Sequence, residues 1–146
     1  MVLFVCTGNY YRSRVAEVLF NSNAAQARLN WKADSRGIDL NRGIYNVGPM
    51  SLQALEWLRS RGIEIGRDVR YPIQLQEEDI SHADRVIALN EIEHRPYLET
   101  RFPGWTDRVE YWKIPDLDLM PADVALPAIE RAVRELVLRL SGDDHE

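Results

Sequence analysis

The opening of the chain limits its possible folds more than any other segment. Val2-Leu3-Phe4-Val5 is a short, uninterrupted apolar run rich in β-branched and aromatic residues, and Thr7-Gly8-Asn9 ends it abruptly. Such a run suits a strand buried on both faces, which requires layers of chain above and below it. Directly after the turn residues, Val15, Ala16, Val18 and Leu19 recur at helical spacing. Ser13 is placed to act as the N-cap and Glu17 falls in or just past the first turn. The chain therefore opens as strand, tight loop and helix.

The same alternation continues. Trp31 to Ser35 is a weaker strand candidate, followed by a Gly-rich loop holding Gly37, Gly43, Gly48 and Pro49. A second helix carries Leu52, Leu55, Glu56 and Leu58 near its apolar stripe and ends at Gly62. Residues 63–77 read as irregular, and Glu77-Glu78-Asp79-Ile80 starts a short helical turn. Arg85 to Leu89 is a second buried strand, followed by a charged helix from Glu91 to about Thr100. Val109 to Ile114 reads as a strand with period two. A closing helix, from Asp123 or Val124 to Leu140, places Leu126, Ile129, Val133, Leu136, Val137 and Leu140 on one face. Ser141 to Glu146 reads as a frayed acidic tail. Four strands alternating with helices predict an α/β protein, a doubly wound parallel sheet with helices on both faces in three layers. At 146 residues the chain is expected to form one domain over 1–146.

Charge and cysteine usage narrow the function. Hydrophobic residues at 45% and charged residues at 28% exclude a disordered chain, and the net charge of −5 argues against nucleic-acid binding. Any anion it binds must be drawn by a local field. The one cysteine, Cys6, excludes internal disulfides and multi-cysteine metal centres. His82, His94 and His145 stand singly without metal-ligand spacing, so no metal is expected. Trp31, Trp57, Trp105 and Trp112 read as core or rim, and Arg36, Arg42, Arg59, Arg61, Arg67 and Arg70 as a solvated face. No basic segment precedes the first apolar run, which is too short for a signal peptide or a membrane span. A cytoplasmic protein without membrane partners is the expectation.

Chemistry concentrates in the first loop, Cys6-Thr7-Gly8-Asn9-Tyr10-Tyr11-Arg12-Ser13. In an open α/β sheet ligands sit at the carboxyl ends of strands near a topological switch point, and this loop occupies such a place. A tight loop feeding a helix N-terminus gathers backbone N–H groups into a small space, where they and the helix dipole attract a tetrahedral anion. Arg12 would add a planar fork for two of its oxygens. The same field would stabilise a Cys6 thiolate and make it a nucleophile. Gly8 permits close backbone approach, Asn9 tolerates a left-handed conformation, and the Ser13 hydroxyl either donates to the Cys6 sulfur or caps the helix.

Val5-Cys6-Thr7-Gly8-Asn9 with Arg12-Ser13 and Ala16-Glu17 resembles the phosphate loop of the low-molecular-weight protein tyrosine phosphatases. The resemblance implies their doubly wound four-stranded fold and a cysteinyl-phosphate intermediate formed without a metal or other cofactor. It implies a general acid in the loop after the last strand, where Ile114-Pro115-Asp116 matches; Asp118 is the alternative acid. It also implies, as substrate, a phosphotyrosine-bearing protein or a small aryl phosphate, with inorganic phosphate as product.

The chain departs from the family pattern in three places. Many members carry a second cysteine immediately before the loop arginine, where this chain has Tyr11. The acid is usually followed by proline and an aromatic that lines the phenyl slot, whereas Leu117 and Asp118 follow here. That leaves Tyr10, Tyr11 and Tyr45 as candidate slot residues. The family's usual arginine before Gln74-Leu75 is Ile73, with Arg70 nearby, so support of the loop from this segment is expected to be weakened. Two other functions remain open on sequence: an arsenate reductase using an external thiol, and a catalytically weak phosphate- or phosphotyrosine-binding module.

Overall fold

The computed structural model describes residues 1–144. Four parallel strands, β1 (Val2–Cys6), β2 (Ala33–Gly37), β3 (Arg85–Ala88) and β4 (Val109–Tyr111), form one sheet in the order β2-β1-β3-β4. Five α-helices accompany them: α1 (Arg12–Gln26), α2 (Leu52–Ser60), α3 (Glu77–His82), α4 (Glu91–Arg101) and α5 (Ala122–Asp144). β1 is central and every residue in it is buried, as the uninterrupted apolar run requires. Val2, Phe4 and Cys6 face a core built with α1, α2 and α5, whereas Leu3 and Val5 face a second core with α3 and α4. This is the three-layer, doubly wound α/β arrangement.

The chain leaves β1 toward β2 on one side, and β3 leads to β4 on the other. The switch point lies between the carboxyl ends of β1 and β3. The loop before α1 and the first turn of α4 therefore face each other across the natural binding crevice.

Several boundaries differ from expectation, each for a physical reason. β2 runs from Ala33 to Gly37 rather than Trp31 to Ser35, pairing Arg36 with Val5 and Gly37 with Cys6. It is an edge strand, so Asp34 and Arg36 can remain partly exposed and its apolar signal is weak. A Cβ at Gly37 would stand 2.9 Å from the Thr7 carbonyl oxygen and 3.0 Å from the Asn9 nitrogen, so glycine lets the strand approach the loop. The β4 ladder is confined to Val109–Tyr111, although Ile114 still donates its N–H to the Leu89 carbonyl at 2.9 Å. Leu52 and Glu56 of α2 are exposed, and Ala54, Leu55 and Leu58 form its buried stripe. α5 continues through Ser141 to Asp144, so that part of the expected frayed tail is helical. His145 and Glu146 lie outside the described residues. Among the described residues, no helix is long and apolar enough to cross a membrane.

Candidate active site

The carbonyl groups of the first loop are turned outward and occupied. Cys6 O accepts from Ile38 N, Thr7 O from Asp39 N, Tyr10 O from Ser51 N and Tyr11 O from Val15 N, all within 2.9–3.0 Å. Among the described residues, no turn or loop hydrogen bond is donated by the backbone N–H groups of Gly8 to Ser13. Loop amides without protein acceptors ahead of a helix N-terminus are the feature from which anion nests are built. Cys6, Thr7, Gly8, Tyr10, Tyr11 and Arg12 line a cavity of about 620 Å³.

Asn9 makes the loop's left-handed turn, at φ 52°, and its fully buried side chain organises the site from behind. Its Oδ1 accepts from Arg70 Nη1 at 3.0 Å and from Ile73 N at 3.1 Å. With the oxygen fixed by two donors, Nδ2 must face Ser13 Oγ at 2.8 Å and Ser35 Oγ at 2.9 Å. Because Ser13 Oγ accepts from Asn9, its own hydrogen is available to Cys6 Sγ at 3.0 Å. A chain of polar contacts thus reaches the sulfur, its last link open to a proton from either atom. Ser13 is not the N-cap: α1 begins at Arg12, and Tyr11 precedes it without a side-chain cap. Of its two expected uses, the hydroxyl's contact is with the sulfur, where either atom can donate.

The expected loss of support at Ile73 is overturned. Ile73 contributes its backbone N–H, and Arg70 supplies the missing cation from three positions earlier. Besides Asn9, Arg70 Nη2 reaches Ser35 Oγ at 2.9 Å, Ser35 O at 3.0 Å, Glu17 Oε1 at 3.1 Å and Asp34 Oδ1 at 3.3 Å. Arg70 is therefore no member of a solvated face, and neither is Arg36, which pairs with Asp34 at 2.8 Å and Asp79 at 3.3 Å. Buried Arg14 joins three segments, donating to the carbonyls of Asn9 (3.3 Å), Pro49 (3.0 Å) and Arg70 (2.6 Å). Burial, and then the neighbouring charge of Arg70, push the Arg14 pKa down to about 10, still well above neutral pH.

Arg12 is almost completely enclosed. Its Nη1 donates to Glu93 Oε1 and to the Ile114 carbonyl, both at 3.0 Å, and its Nη2 donates to Glu93 Oε2 at 2.7 Å. Burial opposes its charge, but Glu93, Cys6 and Asp116 hold its pKa above the ordinary value. Glu93 also accepts from the Thr7 hydroxyl, and His94 Nε2 lies 3.1 Å from Glu93 Oε2. Against the effect of burial, bonds from His94, Arg12 and Thr7 hold the Glu93 carboxyl far below the usual carboxylate range. Asp116 Oδ2 stands 4.0 Å from Arg12 Nη2 with its side chain 54% exposed. Asp116 and Asp118 both line the cavity.

The three candidate slot tyrosines separate. Tyr10 lines the cavity, and its hydroxyl donates to the Val47 carbonyl at 2.6 Å. Tyr11 also lines it but packs into the core, where burial, with Asp116 adding, pushes its phenol up to about 12. Tyr45 is 93% exposed and is not among the lining residues. The apolar rim comes instead from Ile92, Tyr97, Leu117 and Leu119. Sequence reasoning missed Glu93, Arg14 and Ser35, and took Glu17 only as a first-turn residue and part of the family motif; their contacts across 18 to 81 residues leave no local signal.

A thiol beside the first-loop amides, one buried arginine and a carboxylate at the rim thus lie together at the carboxyl end of β1, on a doubly wound α/β fold. The family profile described as low molecular weight phosphotyrosine protein phosphatase matches residues 1–116, and the chain belongs to that family. A protein-arginine-phosphatase of Bacillus subtilis is 33% identical over 108 residues, covering 74% of this chain and 67% of that protein. The low molecular weight protein-tyrosine-phosphatase YfkJ of the same organism is 39% identical over 92 residues. That match covers 61% of this chain and 55% of the relative, little more than half its length. The crystal structure of YfkJ superposes with a TM-score of 0.82 at 27% identity, covering 97% of this chain and 94% of that one.

Proposed function

We propose that this protein hydrolyses phosphotyrosine in proteins, or small aryl phosphates, through a phosphorylated Cys6. The observation that carries the reading is Cys6 Sγ under the Ser13 hydroxyl at 3.0 Å, inside the amide nest that Arg12 closes. In the first step the Cys6 thiolate attacks phosphorus, forming the S–P bond as the bond to the aryl oxygen breaks. Loop amides and Arg12 stabilise the equatorial oxygens as charge shifts, and Asp116 gives its proton to the leaving oxygen. In the second step the Asp116 carboxylate takes a proton from water, the resulting oxygen attacks phosphorus, and Cys6 leaves as thiolate with release of inorganic phosphate. Asp116 is preferred to Asp118 because it stands 4.0 Å from Arg12. The apolar rim of Ile92, Leu117 and Leu119 suits a phenyl ring, and so supports phosphotyrosine over phosphoarginine. The phosphatase names of the relatives do not favour the arsenate reductase alternative.

The test is hydrolysis of p-nitrophenyl phosphate, phenyl phosphate and a phosphoarginine peptide across pH 5–7. Wild type turns over both aryl phosphates and Cys6→Ser turns over neither. Asp116→Ala lowers kcat for phenyl phosphate by about 10²–10⁴, as expected for loss of a general acid, and Asp118→Ala has little effect. The reverse pattern transfers the acid role to Asp118. Preferential release from phosphoarginine overturns the substrate assignment. A wild type that binds phosphate without turnover is the binding module.

A further inference from the structure

We propose that Glu93 is a positioning residue that clamps the Nη1–Nη2 edge of the Arg12 guanidinium and thereby presents the adjoining Nε–Nη2 edge to phosphate. The proposal rests on the reading of the Cys6 loop as a phosphatase centre, and it assigns the α4 side of the crevice a part in that centre.

A guanidinium has five N–H groups in a rigid plane, and an oxyanion can engage it in two ways, end-on through Nη1 and Nη2 or side-on through Nε and one Nη. Glu93 takes the end, with Oε1 at 3.0 Å from Nη1 and Oε2 at 2.7 Å from Nη2. The second Nη1 hydrogen goes to the Ile114 carbonyl at 3.0 Å. This leaves Nε–H and the second Nη2 hydrogen, which lie side by side on one edge and match two oxygens of a phosphate. The arrangement is bidentate on two adjoining edges of one plane that share Nη2, with the carboxylate on the end edge and the substrate on the side edge. The carboxylate is itself held by the Thr7 hydroxyl, so the clamp is tied to the loop it serves.

Acidic residues in the first turn of a helix commonly do no more than complement its dipole. In α4 that role is available to Glu91, which also pairs with Arg95 at 2.9 Å. Glu93 instead spans the switch point to residues of the first loop and α1. Its negative charge also offsets that of Arg12, so affinity for the substrate dianion falls more heavily on the oriented amides and on the one correctly aimed edge of the arginine. A correctly aimed edge matters most as charge spreads over the equatorial oxygens, which places the effect of Glu93 on kcat more than on KM.

The test combines kinetics with a signature of the arginine itself. With p-nitrophenyl phosphate, Glu93→Gln is expected to lower kcat at least about tenfold with a smaller change in KM. The same substitution in an Arg12→Lys background is expected to change the rate by less than about twofold, because Glu93 acts through the guanidinium. In the 15N NMR spectrum, Arg12 of wild type shows separate, slowly exchanging Nη resonances that merge in Glu93→Gln. Unchanged kcat, or an equal loss in both backgrounds, overturns the proposal, as do Nη resonances that stay separate in Glu93→Gln. A wild type without Cys6-dependent turnover refutes the phosphatase reading, and the Arg12 resonances still decide whether Glu93 holds the guanidinium.

Discussion

Cys6 is the sole cysteine of the chain, and Tyr11 occupies the position where many members of the family carry a second one. The Tyr11 phenol, raised to about 12 by burial and then by Asp116, offers no nucleophile to an oxidised sulfur. With no second thiol in the chain to trap the sulfenic acid as a disulfide, peroxide is expected to carry Cys6 readily on to the irreversible sulfinic and sulfonic acids. After prolonged peroxide exposure without other thiols, dithiothreitol should leave activity low, and full recovery would contradict this account. The first loop with Cys6 and Arg12 stood out in sequence because a loop between a buried strand and a helix is a local pattern, whereas Ile114-Pro115-Asp116 was placed by resemblance to the family alone. Glu93, Arg14 and Arg70 did not stand out, because each acquires its role from a partner more than fifty residues away, as in the pairs Arg12–Glu93, Arg14–Arg70 and Arg70–Asn9.

Elements on both sides of the switch point hold the loop, and α4 shows how. Fully buried His94 accepts the Asn90 N–H on Nδ1 at 3.0 Å, which secures the start of the helix that carries Glu93. Burial pushes the His94 pKa below its ordinary value of 6.5, although Glu93 beside it acts the other way. The unfolded chain therefore binds a proton that the folded chain refuses, and stability falls as pH drops below about 6.5 toward the folded value. Each pH unit in that window costs up to about 1.4 kcal/mol, or about 2–4 °C in Tm for a chain of this size. Melting curves between pH 7.5 and 5 should show this slope in wild type and a shallower one in His94→Asn, which keeps a neutral acceptor for the Asn90 N–H. Equal slopes would remove His94 from the account. The strands were legible where burial is complete, as in β1, and least so at the edges. β2 carries Asp34 and Arg36 because one side of an edge strand faces solvent, and the β4 ladder is short despite the longer alternating pattern.

For the molecule as a whole, the sheet order β2-β1-β3-β4 brings together the two loops that the chemistry needs. A net charge of −5 gives no general attraction for phosphate, so the proposed binding must rest on local groups, the first-loop amides and Arg12, whose charge Glu93 already shares. Fold class followed from the alternation of strands and helices, whereas the wall of the cavity did not, because Ile92, Tyr97, Leu117 and Leu119 converge only in three dimensions. The central claim is that Cys6 carries the phosphoryl group during turnover. Acid quenching of wild type during steady-state hydrolysis of p-nitrophenyl phosphate, followed by peptide mass spectrometry, tests it directly. The account predicts one added phosphoryl group on the peptide containing Cys6, absent in Cys6→Ser. Turnover by Cys6→Ser at the wild-type rate, or a phosphoryl group on any other residue, would contradict it.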